Sequence, residues 1–157
     1  AEIVTGLEIV TLEVFEQDMV GVKGYDVGIL EILKRHNVRI VSKVSNANTI
    51  THYLDASLKT MRRVERDISK LFPAAEIATR RQAVVSVIGR DLRGLSILSR
   101  GLRAIADAGF EAIGASQGPR NVDVQFLIER DALEPVIKTL HSTLIEEATA
   151  PQLSRAA

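Results

Sequence analysis

The sequence predicts an α+β protein of two nested βαββαβ units, each an antiparallel sheet with helices on one face. Two observations predict this fold. Alternating strands and apolar helical stripes follow one another in that order, and the order recurs in the second half of the chain. The composition agrees, since 46% of the 157 residues are apolar and 20 basic residues balance 20 acidic ones. A chain of this kind can bury a core and does not belong to the disordered class.

The first half of the chain predicts one complete unit. Its first strand is indicated by Val10, Leu12 and Val14, which alternate with polar residues. The short polar side chains of residues 45–48 favour the turn of a hairpin, and Pro73 ends the second helix. The strand, helix, two hairpin strands, helix and strand are predicted over residues 7–16, 25–36, 38–44, 49–57, 58–72 and 75–79. The apolar stripes of the two helices are Val27, Leu30 and Leu33, then Leu58, Met61, Val64, Ile68, Leu71 and Phe72.

The second half repeats this order. Asp18-Met19-Val20-Gly21 and Asp91-Leu92-Arg93-Gly94 precede the first helix of each unit and lie 73 residues apart. His52-Tyr53-Leu54 and Gln125-Phe126-Leu127 align at the same offset, as expected of a duplicated unit. A strand, a helix with its stripe on Leu95, Leu98, Leu102 and Ile105, two strands and a helix are predicted over residues 82–89, 95–109, 110–116, 122–129 and 133–144.

The second unit lacks a last strand in its own half of the chain. Ala1–Thr5 differs from Ala75–Thr79 by one residue, so we infer that the N-terminus supplies the missing strand. The predicted units therefore span residues 7–80 and residues 1–6 with 81–147. Residues 148–157 are small, polar and interrupted by proline, and we expect them to form a flexible tail.

Catalytic chemistry is not expected of this chain. It has no phosphate-binding glycine loop, dinucleotide-binding glycine motif, serine nucleophile motif or zinc-protease motif. It contains no cysteine, and His36, His52 and His141 show no regular ligand spacing. We expect no catalytic residue, no metal site and no cofactor.

Nucleic acids and membranes are not expected partners. The RNA recognition motif shares the βαββαβ order and stacks bases on aromatic side chains, but only 4% of these residues are aromatic. The basic cluster Lys59, Arg62, Arg63, Arg66 and Lys70 is interpreted as a solvated helix face. No apolar run is long enough to cross a membrane and no export signal is found, so we expect a cytoplasmic protein.

The features that remain are the two Asp-x-x-Gly turns and the polar hairpin turns. Backbone N–H groups beyond Gly21, at the start of a helix, can receive a carboxylate, and Asp18 can hold an ammonium group. Together they describe a pocket for a free amino acid. The alternative is that Asp18 and Asp91 are helix N-caps and that the glycines only form turns.

From about residue 4 to residue 146, the chain resembles the paired ACT domains, two ferredoxin-like units, of the C-terminal regulatory region of aspartate kinase. The resemblance rests on the order and spacing of several short segments, none of them strong by itself. They are Val4-Thr5-Gly6, Asp18–Gly21, Gly28-Ile29-Leu30, Arg35-His36-Asn37-Val38, Val84–Gly89, Phe126–Asp131 and Leu140-His141.

The resemblance places the effector loop of the family on Asp18 to Gly21, where Val20 replaces a frequent proline. It places the Gln-Asn pair of the family on Ser45 and Asn46, so that the glutamine is lost. Pro119-Arg120-Asn121 replaces the usual Ser-Ser-Glu after Gln117-Gly118. The expected effector-binding residues are Asp18, Met19, Val20, Gly21, Ser45, Asn46, Asn48, Asp91, Gly94, Gln117 and Gly118.

The resemblance implies a regulatory region that binds lysine or threonine and controls its own kinase domain. That kinase domain, expected before residue 1, would phosphorylate L-aspartate and would bind ATP and magnesium. Residues 21–26 and 46–53 look most like the aspartate kinases that accompany ectoine synthesis. A homodimer is expected, because sheets covered by helices on one side leave a face or an edge open. The alternatives are a ligand-free dimerisation module of the same kinase and a free-standing small-molecule sensor.

Overall fold

The computed structural model describes residues 1–146 and confirms the predicted α+β fold class. The predicted tail, residues 148–157, lies outside the described residues. The strands are β1 (Ile3–Phe15), β2 (Arg39–Ser45), β3 (Thr49–Asp55), β4 (Glu76–Ile88), β5 (Gly114–Gln117) and β6 (Asp123–Glu129). The helices are α1 (Tyr25–Arg35), α2 (Leu58–Leu71), α3 (Ser96–Asp107) and α4 (Leu133–His141), which continues as one π-helical turn, Ser142–Glu146.

The chain divides into two compact units. The central unit is Ile9–Gln82, and the terminal unit combines Ala1–Glu8 with the chain from Ala83 onward. Both β1 and β4 are 13 residues long, and each contributes one half to each unit. The terminal unit is therefore built from segments at both ends of the sequence.

In the central unit, the hydrogen-bonded strand order is β2-β3-β1-β4. Both β1 and β2 run antiparallel to β3, with Val14 opposite Ile50 and Val10 opposite Leu54. Ser57 caps α2, since its hydroxyl oxygen accepts from the Thr60 N–H at 3.2 Å. The core between the sheet and the two helices consists of Val10, Leu12, Val14, Met19, Tyr25, Ile29, Ile32, Leu33, Ile50, Leu54, Met61, Val64 and Ile68.

Helix α1 faces the core through a different stripe from the predicted one. Val27 is 54% exposed, whereas Ile29 and Ile32 are buried. The orientation follows from the first residue of the helix, because the Tyr25 ring stacks on Phe72 with a centroid distance of 3.9 Å. Apolar residues surround α1, so spacing alone did not identify the buried face. In the other predicted stripes, Leu58, Leu71 and Leu95 are exposed as well.

In the terminal unit, the strand order is β1-β4-β6-β5. The Glu2 N–H donates to the Ile88 carbonyl oxygen at 2.8 Å, which pairs the start of β1 with the end of β4. Val4 packs against the core of this unit. Its buried members are Ala83, Val85, Val87, Leu92, Ala104, Ile105, Val124, Phe126, Ile128, Ala132, Val136, Leu140 and Leu144.

Two predicted strand breaks are absent. Residues 1–5 and 7–16 were predicted as separate strands, but β1 passes through Gly6 without interruption. A β-carbon at Gly6 would lie 2.6 Å from both Leu133 Cδ1 and Ile137 Cδ1, so this glycine marks a close approach of α4 rather than a turn. Likewise, β4 joins the predicted strands 75–79 and 82–89. The predicted strand 110–116 is shorter and lies later, at Gly114–Gln117.

The repeat has two registers. Val10, Leu12 and Val14 correspond to Ala83, Val85 and Val87 at an offset of 73 residues.

The last strand pair follows another offset. The identical burial patterns of β3 and β6 align Ile50 with Val124 and His52 with Phe126, at 74 residues. The predicted match of His52 with Gln125 is therefore wrong by one residue. That single step moves a strand residue to the opposite face of the sheet.

We predict that Gly101→Ala destabilises the protein by about 1–2 kcal/mol, the cost of overpacking less the gain in helix propensity. A β-carbon at Gly101 would lie 2.4 Å from Cζ of Phe126, which is fully buried and cannot move away. Chemical denaturation measures the effect. The matched control is Gly28→Ala in α1, where the nearest atom belongs to the half-exposed Leu71. Equal losses of stability in the two variants would contradict the prediction.

Candidate functional site

A pocket of about 340 Å³ opens in the central unit where the β1–α1 loop, the first turn of α1 and the β2–β3 turn meet. This volume lies within the range of about 300–1,000 Å³ that small-molecule sites occupy. The lining residues are Met19, Gly21, Val22, Gly24, Tyr25, Asp26, Val27, Ser45, Asn46, Ala47 and Ile50.

The β1–α1 loop is anchored by one apolar side chain. Met19 is 5% exposed and belongs to the core of the central unit. Its N–H donates to the Glu16 carbonyl oxygen at 3.1 Å, and its own carbonyl oxygen accepts from the Val22 N–H at 3.0 Å. Gly21 has φ 78°, a conformation that favours glycine. The loop is therefore held in place before any ligand binds.

The N-terminus of α1 faces the pocket without a side-chain cap. Gly24 is the N-cap residue and has no side chain that could accept the N–H groups of the first turn. The first-turn residues Tyr25, Asp26 and Val27 all line the pocket. Free N–H groups at a helix N-terminus attract an anion such as a carboxylate.

The β2–β3 turn is held rigid by its own side chains. The Asn46 side-chain oxygen accepts from the N–H groups of Asn48 and Thr49 at 3.1 and 2.9 Å. The Asn48 carbonyl oxygen accepts from the Glu16 N–H at 3.0 Å, which ties the turn to the end of β1. Ser45 and Asn46 are thereby fixed on one side of the pocket.

A polar cluster of Asp26, Lys43 and His52 lies beside the pocket, on the helix-covered face of the sheet. Asp26 is in the first turn of α1, and one of its carboxylate oxygens accepts from the Lys43 ammonium group. Its other oxygen is buried and lies 3.5 Å from Nε2 of His52. His52 is fully buried, and no described side chain lies within hydrogen-bond distance of either ring nitrogen. Burial lowers the pKa of His52, although Asp26 acts in the opposite direction.

The structure brings four of the predicted central-unit residues together, namely Met19, Gly21, Ser45 and Asn46. The others lie apart from them. Val20 is 60% exposed and Asn48 serves the turn, and neither lines the pocket. Asp18 lines a neighbouring pocket of about 400 Å³ together with Lys23 and residues 71–74.

The N-cap alternative for Asp18 and Asp91 is wrong, because Gly24 and Leu95 occupy the N-cap positions. Nor does Gly21 lie in the first turn of a helix, since α1 begins only at Tyr25. The N–H groups available to an anion therefore belong to the residues after Gly24.

In the terminal unit, the predicted site residues bind one another. Nε2 of Gln117 donates to the carbonyl oxygens of Leu92 and Gly94 at 2.8 and 2.9 Å, closing the β4–α3 loop onto β5. Asp91 forms a bidentate pair with Arg93, at 2.8 and 2.7 Å, which lowers the pKa of Asp91. Gly118 accepts from the Asn121 N–H at 3.1 Å.

Ser45 and Gln117 hold equivalent positions in the two units. Each is the last residue of its strand, and their partners across the hairpin, Ile50 and Val124, correspond in the repeat. In the central unit this position carries a short serine side chain beside a pocket. In the terminal unit it carries a glutamine that bonds to the loop.

The sequence analysis missed Gly24, Tyr25, Asp26, Lys43 and His52. One signal was available, since an acidic residue directly after a Gly-Tyr pair at the predicted helix start could have been considered as a site residue. Lys43 and His52 are 17 and 26 positions from Asp26, on two other strands, and only the tertiary structure brings them together.

Two general properties were searched over residues 1–146. No helix in this part of the chain has the length and apolar character needed to cross a membrane. Within the same residues, no group of three or more histidine or acidic side chains is placed to hold a metal ion.

Comparison with known proteins identifies relatives of one kind. No protein-family model matches the chain. Over 146 residues, which are 92% of the chain, it is 38% identical to aspartate kinase Ask_Ect of Stutzerimonas stutzeri strain A1501. It spans 31% of the length of that relative.

Solved structures share the fold at low sequence identity. The regulatory subunit of aspartate kinase from Thermus flavus matches 89% of the chain over 95% of its own length, with a TM-score of 0.75 and 12% identity. Aspartokinase III of E. coli, in complex with lysine and aspartate, matches 90% of the chain over 32% of its own length, with a TM-score of 0.71 and 18% identity. The match thus extends over a complete regulatory subunit and over one third of a longer kinase.

We predict that His52 destabilises the protein at mildly acidic pH. Burial lowers the pKa of His52 below its ordinary 6.5, so the unfolded chain takes up a proton before the folded one. The contribution to stability is complete above about pH 6.5 and decreases as the pH falls below it, by at most about 1.4 kcal/mol per pH unit. Denaturation between pH 5 and pH 8 should show this slope in the natural protein and not in His52→Gln.

The control for this experiment is His141→Gln, because the His141 side chain is 49% exposed. We expect it to keep the natural slope. The same slope in His52→Gln and in the natural protein would contradict the prediction.

Proposed function

We propose that this chain, which belongs to the regulatory regions of aspartate kinases, binds a free amino acid in the pocket of its central unit. The single observation that supports this proposal is the meeting of an uncapped helix N-terminus with a rigid polar turn across a pocket of about 340 Å³. An amino acid carries a carboxylate, an ammonium group and a side chain, and this pocket offers a complementary group for each charged end.

The chemistry of capture follows from the lining residues. The N–H groups at the start of α1, joined by the amide nitrogen of Asn46, would hold the carboxylate. The Ser45 hydroxyl oxygen is an acceptor for the ammonium group. Met19, Val22, Val27 and Ile50 supply an apolar wall for the side chain. Lysine and threonine are the effectors we test first.

Regulation requires a conformational equilibrium that the amino acid shifts. A ligand changes such an equilibrium only if it binds one state more tightly than the other. The pocket joins a loop, a helix and a strand turn, so a bound amino acid would favour the arrangement in which all three are close. We propose that this bias reaches an aspartate kinase catalytic region, which would bind ATP and magnesium and phosphorylate L-aspartate in the cytoplasm. The 38% identity to Ask_Ect supports a kinase associated with ectoine synthesis.

The proposal assigns binding to the central unit. In the terminal unit the equivalent of Ser45 is Gln117, whose amide already bonds to the loop that would have to receive the ligand. Breaking those two hydrogen bonds would oppose binding there.

A ligand-free dimerisation module is the second candidate. In the central unit, β2 has a hydrogen-bonded neighbour on one side only, and it exposes Ile40 and Val44 at 41% and 47%. An exposed apolar edge strand favours pairing with another strand. Pairing and amino-acid binding are compatible, so each needs its own test.

We predict that threonine or lysine raises the melting temperature of the protein, by a free energy of about 2.7 kcal/mol at a hundredfold excess over its dissociation constant. Ser45→Gln should abolish this stabilisation, because a glutamine at this position closes the loop in the terminal unit. Ser42→Gln is the matched control, since Ser42 lies on the same strand opposite Tyr53 and does not line the pocket. Calorimetry that detects no heat with any protein amino acid at millimolar concentration would exclude the effector function.

We predict a homodimer in sedimentation equilibrium without any added amino acid. Val44→Lys should raise its dissociation constant about tenfold, because the substitution places a charge on the exposed edge strand. Val122→Lys is the control, since Val122 is equally exposed at 40% but lies outside β2. A monomer at micromolar concentration would contradict pairing and leave the binding test unaffected.

A further inference from the structure

We propose that Lys43, by binding Asp26, makes the central-unit pocket select amino acids with uncharged side chains over lysine. This inference rests on the proposed function and names the class of its ligand. It concerns the side chain of the amino acid, whereas the contacts proposed above concern its carboxylate and ammonium group.

Among the described residues that line the pocket, Asp26 is the only one with a charged side chain. A ligand with a cationic side chain needs an anionic partner when it leaves water. Asp26 is the one candidate partner in the pocket, and so its availability decides whether lysine is accepted.

The carboxylate of Asp26 is not available. The Lys43 ammonium group, which comes from β2, binds one of its oxygens. The other oxygen is buried and faces Nε2 of His52 at 3.5 Å. An incoming lysine would therefore place a second ammonium group beside a carboxylate whose charge Lys43 already balances.

The histidine behind Asp26 does not change this balance in favour of a cation. Burial lowers the pKa of His52, so its ring is neutral at pH 7 and adds no negative charge. The charged groups around Asp26 are therefore its own carboxylate and the Lys43 ammonium group, with a net charge of zero. An uncharged side chain meets no electrostatic penalty there, whereas a cationic one meets the Lys43 charge across a poorly hydrated wall.

The terminal unit lacks this arrangement. The positions equivalent to Asp26, Lys43 and His52 are Ser99, Ala115 and Phe126, as the registers of α3, β5 and β6 show. The three polar residues thus occur together only in the unit that carries the pocket, and this supports a role in that pocket rather than in the shared fold.

Titration calorimetry of the full chain with threonine and, separately, with lysine tests the inference. We expect the natural protein to bind threonine at least about tenfold more tightly than lysine. Lys43→Met keeps the length of the side chain and frees Asp26, so it should tighten lysine binding about tenfold and leave threonine binding nearly unchanged. Adding Asp26→Asn to Lys43→Met should abolish that gain.

Lys23→Met is the matched control. Lys23 belongs to the same unit but lines the neighbouring pocket, so its removal should leave both dissociation constants unchanged. Circular dichroism establishes that each variant is folded. A folded Lys43→Met with unchanged lysine affinity would overturn the inference, and so would a natural protein that prefers lysine; both outcomes leave the proposed function standing. If neither amino acid gives heat with the natural protein, the proposed function fails and the selectivity inference fails with it.

Discussion

Everything in the terminal unit depends on a strand that comes from the far end of the chain. A four-stranded sheet with two helices on one face is needed to enclose its core, and the segment after Ala83 contains only three of the strands. The first residues of β1 supply the fourth. They fit because Gly6 has no side chain, which lets Leu133 and Ile137 of α4 come close to the strand. The same strand ends at Phe15, where the loop that forms the pocket begins.

Both units repeat one frame and differ where side chains meet between the first helix and the hairpin. In the terminal unit this space contains the Phe126 ring, packed against Gly101, and the loop is closed by Gln117. In the central unit it contains His52 paired with Asp26. An apolar filling stabilises a core directly by removing surface from water, whereas a polar filling must first compensate for its own dehydration. One unit is therefore suited to support the fold and the other to bind.

The polar cluster explains how a pocket in a small core can carry charge. A buried carboxylate without partners would be strongly unfavourable, but Asp26 has the Lys43 ammonium group on one side and the His52 ring on the other. The three residues come from α1, β2 and β3, so the cluster also joins the helix to the hairpin. Removing one member would change the charge that the pocket presents as well as the position of the first turn of α1.

The sequence by itself determined the fold class, the order of the elements and the nesting of the units, because alternation, helical stripes and a duplicated segment are local or repeated patterns. It also identified Met19, Gly21, Ser45 and Asn46, which lie in turns whose residue types are restricted by backbone geometry. The buried stripe of α1, the register of β6, and the grouping of Asp26 with Lys43 and His52 were decided only by the tertiary structure. A face of a helix or strand is chosen by what packs against it, and charged side chains distant in sequence meet only when the sheet is formed.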